Sequence, residues 1–400
     1  MAPALIFLLT YVAVAIGRLP WLRIDRTGAA VIGAILMVVV GGLSLQAAYN
    51  AVDYRTLLLL FGMMVLVADL QRSGVFNALA RWTVRRTSHP TVLVAAIVIA
   101  SGILAAFFVN DTICLVFTPV VLELAAARGL SPVPLLIALA TGANIGSVAT
   151  MTGNPQNMLI GSVSRIGYAT FLAHLGPIAA VALVIDVLVI CAVFRRALVA
   201  GRPADGAIPA GAVDGGMAAK ALIVTAGVLV GFLAGFEPAL VALGGAAVLL
   251  VSRRVDPQEV YREIDWGLLM LFIGLFVVIG GIERIGLDQR LFAGLQPIGI
   301  DTVAGLSIAA ALLSNLVSNV PAVMLFTRLV PALPNPHTAW LTLAMASTLA
   351  GNLTIVGSIA NLIVAEGAAR RGVHLTFMDY LRAGVPITVV SITIGVLLLQ

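Results

Sequence analysis

The sequence predicts an all-α polytopic membrane protein: about eleven transmembrane helices plus two re-entrant helical hairpins, in two inverted-topology repeats with broken helices. Three observations predict it: the composition, the placement of the basic residues, and a repeat that divides the chain. Of the 400 residues, 61% are apolar and 10% are charged, and mean hydropathy is +1.10. A soluble domain is nearer to about half apolar and about a quarter charged. A soluble chain of this length cannot hide so much apolar surface, so lipid is its solvent. The runs 27–43, 57–70, 92–109, 175–194, 219–235, 267–282 and 383–400 each approach or exceed the length that crosses a bilayer. Residues 3–17 are followed by Arg18 without a small-residue cleavage site, so they read as a retained helix and not a signal peptide.

Composition also excludes several classes. Cys114 and Cys191 lie in apolar runs and support neither a disulfide framework nor a zinc site. A net charge of +5 can signal a nucleic-acid partner, but here the basic residues sit where membrane topology needs them. The chain carries no Walker loop, HExxH or GxSxG motif, so the sequence predicts neither an enzyme, nor a cofactor, nor a nucleotide-driven pump.

Cytoplasmic loops are enriched in Lys and Arg. With the N-terminus outside, the loops on the cytoplasmic side of an inner membrane hold Arg18, Arg23, Arg26, Arg72, Arg81, Arg85, Arg86, Arg128, Arg195, Arg196, Arg202, Lys220, Arg253, Arg254, Arg262, Arg370, Arg371 and Arg382. That is 18 of the 23 basic residues. Arg55, Arg165, Arg284 and Arg290 fall on the other side, and Arg328 lies in a membrane arm. The Pro/Gly-rich stretch 195–217 reads as a flexible cytoplasmic linker near mid-chain.

The repeat is visible directly. Tyr49, Asp53, Leu57, Gly62, Arg72 and Gly74 return 212 positions later as Tyr261, Asp265, Leu269, Gly274, Arg284 and Gly286. Asp53 and Asp265 each stand just before a span, as helix caps do. AAFFVNDTICLVFTP at 105–119 matches NLVSNVPAVMLFTRL at 315–329, and ATMTGNPQNMLIG at 149–161 matches LTIVGSIANLIVA at 353–365, 204 positions on. The chain therefore divides into an extra helix (1–23), a first repeat (24–197), a linker (198–217) and a second repeat (218–400) of opposite orientation. Many secondary transporters are built this way, with a midplane site between discontinuous helices.

Broken helices mark that site. The stretch 91–128 is too long for one span and reads as a hairpin turning at 109–112, and 299–333 as a second turning at 318–321. The helix 132–165 must break between Thr150 and Asn157, and 338–366 near 351–358. Irregular backbone at this depth survives only where protein buries it or a cavity receives it. The candidate binding residues are Asn110, Asp111, Thr112, Thr152, Gly153, Asn154, Asn157, Ser318, Asn319, Asn352, Thr354, Gly357, Ser358 and Asn361. The competing reading is that these side chains only satisfy backbone groups or join helices. Asp111 is the most informative acid, because an unpaired ionised carboxylate among apolar flanks is costly and calls for a proton or a cation. Asp186 is the second coupling candidate. Asp69, Glu123 and Arg328 read more simply as groups that pair or snorkel near loops.

These motifs resemble the ion transporter superfamily over residues 24 to the end. It includes arsenite-efflux permeases, sodium/proton antiporters and divalent-anion/sodium symporters. The symporters carry Ser-Asn-Thr at each hairpin tip. This chain reads Asn110-Asp111-Thr112 and Ser318-Asn319-Val320, and the Asn-Asp tip is more similar to the arsenite permeases. ANIGSVATMTGNPQNMLIG at 143–161 and AGNLTIVGSIANLIVAE at 350–366 resemble the family's paired helix breaks. The resemblance implies a scaffold domain, a transport domain that moves against it, a homodimer, H+ or Na+ as coupling ion, and a soluble ATPase subunit as a potential partner. It implies proton-linked efflux of arsenite or antimonite first. Sodium-coupled uptake of a dicarboxylate or sulfate, and sodium/proton antiport, are the alternatives.

Overall fold

A computed structural model describes residues 2–19, 23–85, 89–199, 213–251, 256–287, 294 and 296–400. Among the described residues the regular structure is helical, apart from a two-residue ladder of β1 (Arg18–Leu19) on β2 (Ile24–Asp25). Among the described residues, seven helices are long and apolar enough to cross a membrane by length and composition, and six shorter apolar helices accompany them.

The first part runs α1 (Ala2–Ile16), α2 (Arg26–Val39), the short α3 (Leu45–Ala51), α4 (Tyr54–Arg72) and α5 (Val75–Arg85). A hairpin of α6 (Pro90–Phe107) and α7 (Asn110–Ala127) follows. Then come α8 (Pro132–Ser147), a break, α9 (Pro155–Ser164), α10 (Tyr168–Val193) and α11 (Arg195–Val199). Most of the expected linker, residues 200–212, lies outside the described residues. The chain resumes with α12 (Gly215–Leu233), α13 (Pro238–Leu250), the short α14 (Pro257–Glu263) and α15 (Trp266–Glu283). A second hairpin of α16 (Val303–Val317) and α17 (Asn319–Leu329) leads to α18 (Pro336–Ala350), a break, α19 (Ile359–Ala369) and α20 (Phe377–Leu399).

Local chemistry sets these boundaries. Asp53 starts α4 by accepting from the backbone N–H groups of Arg55 and Thr56, and Asp265 starts α15 by accepting from Leu268 N at 2.8 Å. Such caps contribute about 1 kcal/mol each. The outer faces of the long helices stay apolar: Ile223 on α12 is 71% exposed and Leu188 on α10 is 63% exposed. Contiguous apolar surface of this kind is stable against lipid, not water.

Two helix pairs form the centre of one part of the molecule: α4 packs on α13, and α2 on α15. Gly62 of α4 seats against the backbone of Ala242, where an added Cβ would lie 2.7 Å from the Ala242 carbonyl carbon. Gly274 of α15 seats in the same way on Ala30, again at 2.7 Å. Both Gly62/Gly274 and Ala30/Ala242 are 212 positions apart, so the two contacts are reciprocal. Small residues let helix backbones approach closely in lipid. Gly62→Ala and Gly274→Ala are each expected to lower stability by about 1–3 kcal/mol through overpacking, read from denaturant unfolding in detergent. A neutral result for one with a large loss for the other would show that the contacts are not equivalent.

Candidate functional site: a buried amide cluster beside an acid-lined cavity

The first break spans Val148–Asn154. Asn154 caps α9 by accepting from Asn157 N at 2.9 Å, and its own amide donates to Ser147 Oγ at 2.9 Å and to Thr348 Oγ1 at 3.2 Å. Asn157 Nδ2 donates across the break to the carbonyls of Ser147 and Thr150, each at 3.0 Å. Thr152 Oγ1 shares a hydrogen bond with Tyr168 OH at 3.0 Å, and Thr150 Oγ1 reaches the Ala106 carbonyl on the first hairpin. Gly153 lies against the Ser147 backbone with no room for a Cβ.

The second break repeats this lock. Asn361 Nδ2 donates to the carbonyls of Gly351 at 2.8 Å and Thr354 at 3.0 Å. Donor and acceptors are all 204 positions beyond Asn157, Ser147 and Thr150. Gly357 fits because a Cβ there would come within 2.9 Å of both Asn315 Oδ1 and the Gly351 carbonyl.

The hairpin tips meet these breaks. At the first, Phe108 and Val109 turn the chain and Asn110, Asp111 and Thr112 form the first turn of α7. Asn110 Nδ2 donates to Asn144 Oδ1 at 2.8 Å, and Ser358 Oγ donates to the same oxygen at 3.1 Å. Asn144 Nδ2 in turn donates to Asn352 Oδ1 at 2.8 Å and Asn361 Oδ1 at 2.9 Å. Asn144 thus ties the first tip to the second break. The second tip turns on one residue, Ser318, with φ +77°. That conformation strains a side-chain-bearing residue. It places Asn319 Nδ2 against Gly351, while Asn315 Nδ2 donates to the Ala350 carbonyl at 3.0 Å.

The cluster leaves acceptors open. Among the described residues, Asn110 Oδ1, Asn157 Oδ1, Asn315 Oδ1 and Asn319 Oδ1 are buried without a donor. Each such atom costs about 1–3 kcal/mol. Three of the converging helix starts also lack a side-chain cap: α7 at Val109, α17 at Ser318 and α19 at Ser358.

Asp111 and Thr112 face away from the amides. They line a cavity of about 110 Å³ between the first tip, Pro155 of α9, and α4 with the α14–α15 junction. Gln71, Glu263 and Asp265 form its far wall. Arg72 pairs with Glu263 at 3.1 Å and with Glu259. No basic group pairs with Asp111 or Asp265 among the described residues. Asp186 lies apart from both groups, behind α8, where Thr141 Oγ1 is 3.0 Å from its Oδ2. The candidate residues thus fall into an amide cluster, an adjoining acid-lined cavity and a separate buried acid. The remaining charged candidates pair locally: Glu123 bridges Arg81 at 3.2 Å and Arg371 at 3.5 Å, and Arg328 reaches Glu283 at 3.3 Å.

Sequence reasoning singled out neither Asn144 nor the capping Asp265 as part of the site. The available signal for Asn144 was an amide inside the apolar helix PVPLLIALATGANIGS. For Asp265 it was the duplicated Tyr–x₃–Asp spacing, which a cap alone also explains.

Discontinuous helices locked by amides, with two helical hairpins closing on them, are the architecture of many secondary transporters. Residues 11–350 match the family described as citrate transporter, and the chain belongs to that family. It is 33% identical to the silicon efflux transporter LSI3 of Oryza sativa, over 94% of this chain and 93% of LSI3. It is 30% identical to an uncharacterized transporter of Mycobacterium tuberculosis, over 98% of this chain and 96% of that protein. The putative transporter arsB of Dictyostelium discoideum is 26% identical, over 94% of this chain and 87% of arsB. The fold is similar to the crystal structure of the Alcanivorax borkumensis YdaH transporter, with a TM-score of 0.59 at 14% identity, covering 99% of this chain and 95% of YdaH.

Proposed function

We propose that this chain exports a small undissociated metalloid hydroxide across the inner membrane, linked to the proton motive force, with arsenite or antimonite as the first candidates. Silicic acid is the same class of solute: uncharged, compact and rich in O–H donors. The observation that carries the reading is the cavity of about 110 Å³ at the first tip, whose walls offer Asp111, Asp265, Thr112 and Gln71. These groups accept hydrogen bonds from a neutral hydroxide. An anion about 5 Å from one ionised carboxylate loses about 3 kcal/mol at an effective dielectric of 20. The silicon efflux transporter LSI3 is named for a solute of this class.

The reading rests on two halves of opposite orientation, 24–197 and 218–400, with the N-terminus outside. The reciprocal Gly62–Ala242 and Gly274–Ala30 contacts support it. In this scheme α2, α4, α13 and α15 form the scaffold of a homodimer. The hairpins and broken helices move against it. Asp111 takes up a proton or shares a cation when the tip faces the scaffold.

The decisive test is flux in proteoliposomes of arsenite, silicic acid, succinate, sulfate and sodium under imposed proton or sodium gradients. Proton-driven flux of arsenite or silicic acid is expected. Flux of succinate alone would sink the proposal. Asp111→Asn is expected to flatten the pH dependence of flux while leaving the protein folded, and an unchanged pH profile would remove Asp111 from coupling.

A second reading is sodium-coupled transport of a carboxylate or sulfate. The uncapped starts of α7, α17 and α19 favour it, since helix N-termini attract anions. Sodium-dependent succinate or citrate flux would establish it.

A further inference from the structure

Asp186 sits in the long apolar helix α10 with no exposed surface. Its Oδ1 has no hydrogen-bond partner, and no basic group pairs with it among the described residues. Its Oδ2 lies 3.0 Å from Thr141 Oγ1, and that hydroxyl is also 2.8 Å from the Ile137 carbonyl. A threonine hydroxyl has one proton to give. If it goes to Ile137, the contact with Asp186 needs a proton on the acid. If it goes to Asp186 instead, an ionised carboxylate is left with one donor for two oxygens, fully buried and without a cation. That arrangement costs several kcal/mol.

Among the described residues no cation pairs with Asp186; Arg195 and Arg196 of α11, which packs on α10, are exposed. Neither α8 nor α6, both packed on α10, carries an ionisable side chain. From α20 comes Tyr380, fully buried, whose hydroxyl has no partner. Cys191 lies on α10 itself, and Cys114 of α7 is close to Tyr380. Lys220 of α12 is spent on the carbonyls of Leu249 and Val251. His337 of α18 meets His174 edge to face at the far end of α10. Asp379 and Arg382 of α20 approach each other at 3.9 Å and are partly exposed.

We propose that Asp186 is a second proton-binding residue of this transporter, besides Asp111, neutral in this conformation and ionised in another state of the cycle. On losing its proton to the aqueous phase, the carboxylate would gain the Thr141 hydroxyl, rotated away from Ile137. Its open Oδ1 would gain the free Tyr380 hydroxyl. A proton from the opposite side would restore the neutral acid, so charge and atoms balance over a cycle. The amide cluster reads this change through one chain. Asn352 Nδ2 donates to the Thr141 carbonyl at 3.3 Å, and Asn352 Oδ1 accepts from Asn144, which holds the first tip through Asn110. The role in transport rests on the proton-linked reading above; the protonation state does not.

Infrared difference spectra of protein reconstituted in phosphatidylcholine test the assignment without any solute. At neutral pH a protonated-carboxylic-acid band is expected in the wild type and in Asp111→Asn, and its loss in Asp186→Asn, an isostere of the neutral acid. Asp186→Glu is expected to retain a shifted band. Stimulation of flux by a proton gradient is expected to fall at least tenfold in Asp186→Asn and to recover in part in Asp186→Glu. A band unchanged by Asp186→Asn, or unaltered proton stimulation in that variant, overturns the proposal. A wild type showing the Asp186 band but no proton-driven flux of any solute overturns the transport reading instead.

Discussion

Asn144→Ala is expected to abolish measurable flux and to lower stability by about 3 kcal/mol or more. The side chain makes four bonds, to Asn110, Ser358, Asn352 and Asn361, at 2.8–3.1 Å. All four partners are buried, and the backbone around them is already interrupted. Removing one partner from a buried bond costs about 1–3 kcal/mol, and bonds sharing a network do not add simply. The deletion leaves the donors and acceptors of these buried partners open. The loss also frees the first tip from the second break. The checks are denaturant unfolding in detergent and flux in proteoliposomes. Wild-type flux in Asn144→Ala would show that the cluster is merely structural filler.

Asn157→Ala is expected to cost about 2–4 kcal/mol, and Asn361→Ala somewhat more, because Asn361 Oδ1 also accepts from Asn144. Each amide spans its own break and satisfies two carbonyls that a continuous helix would have satisfied itself. Without the amide, the carbonyls of Ser147, Thr150 and Gly351 stand buried and bare, and that of Thr354 partly so. Asn→Asp at either position keeps the shape but replaces the donor by an acceptor facing two carbonyls, so it is expected to be as damaging as alanine. Unfolding midpoints for the four variants decide this. A mild Asn361→Ala beside a severe Asn157→Ala would show that only the first break depends on its amide.

Much of the fold was legible because lipid leaves few options. The apolar runs, the tips at 109–112 and 318–321, and the breaks at Thr150–Asn157 and 351–358 follow from the rule that backbone polar groups must find protein partners. The capping roles of Asp53 and Asp265 were legible from position alone. What was not legible is which way a side chain faces. Asn110 and Asp111 are neighbours in sequence, yet one enters the amide cluster and the other the cavity, because successive residues of a helix's first turn point about 100° apart. Asp186 reads as a second coupling candidate beside Asp111 in the sequence, but α8 stands between it and the tips. That separation depends on which helices pack on α10, and hydropathy does not encode it.

The reciprocal glycine contacts bear on how the chain is made. Gly62 must wait for Ala242, 180 residues later, and Ala30 for Gly274, 244 residues later. At about 5–20 residues per second, α2 and α4 spend roughly 10–50 s in the bilayer before the helices they seat against exist. During that interval each shows lipid a notch shaped for another helix's backbone. The two parts of the chain are therefore each other's assembly template, and insertion of the first is completed by synthesis of the last.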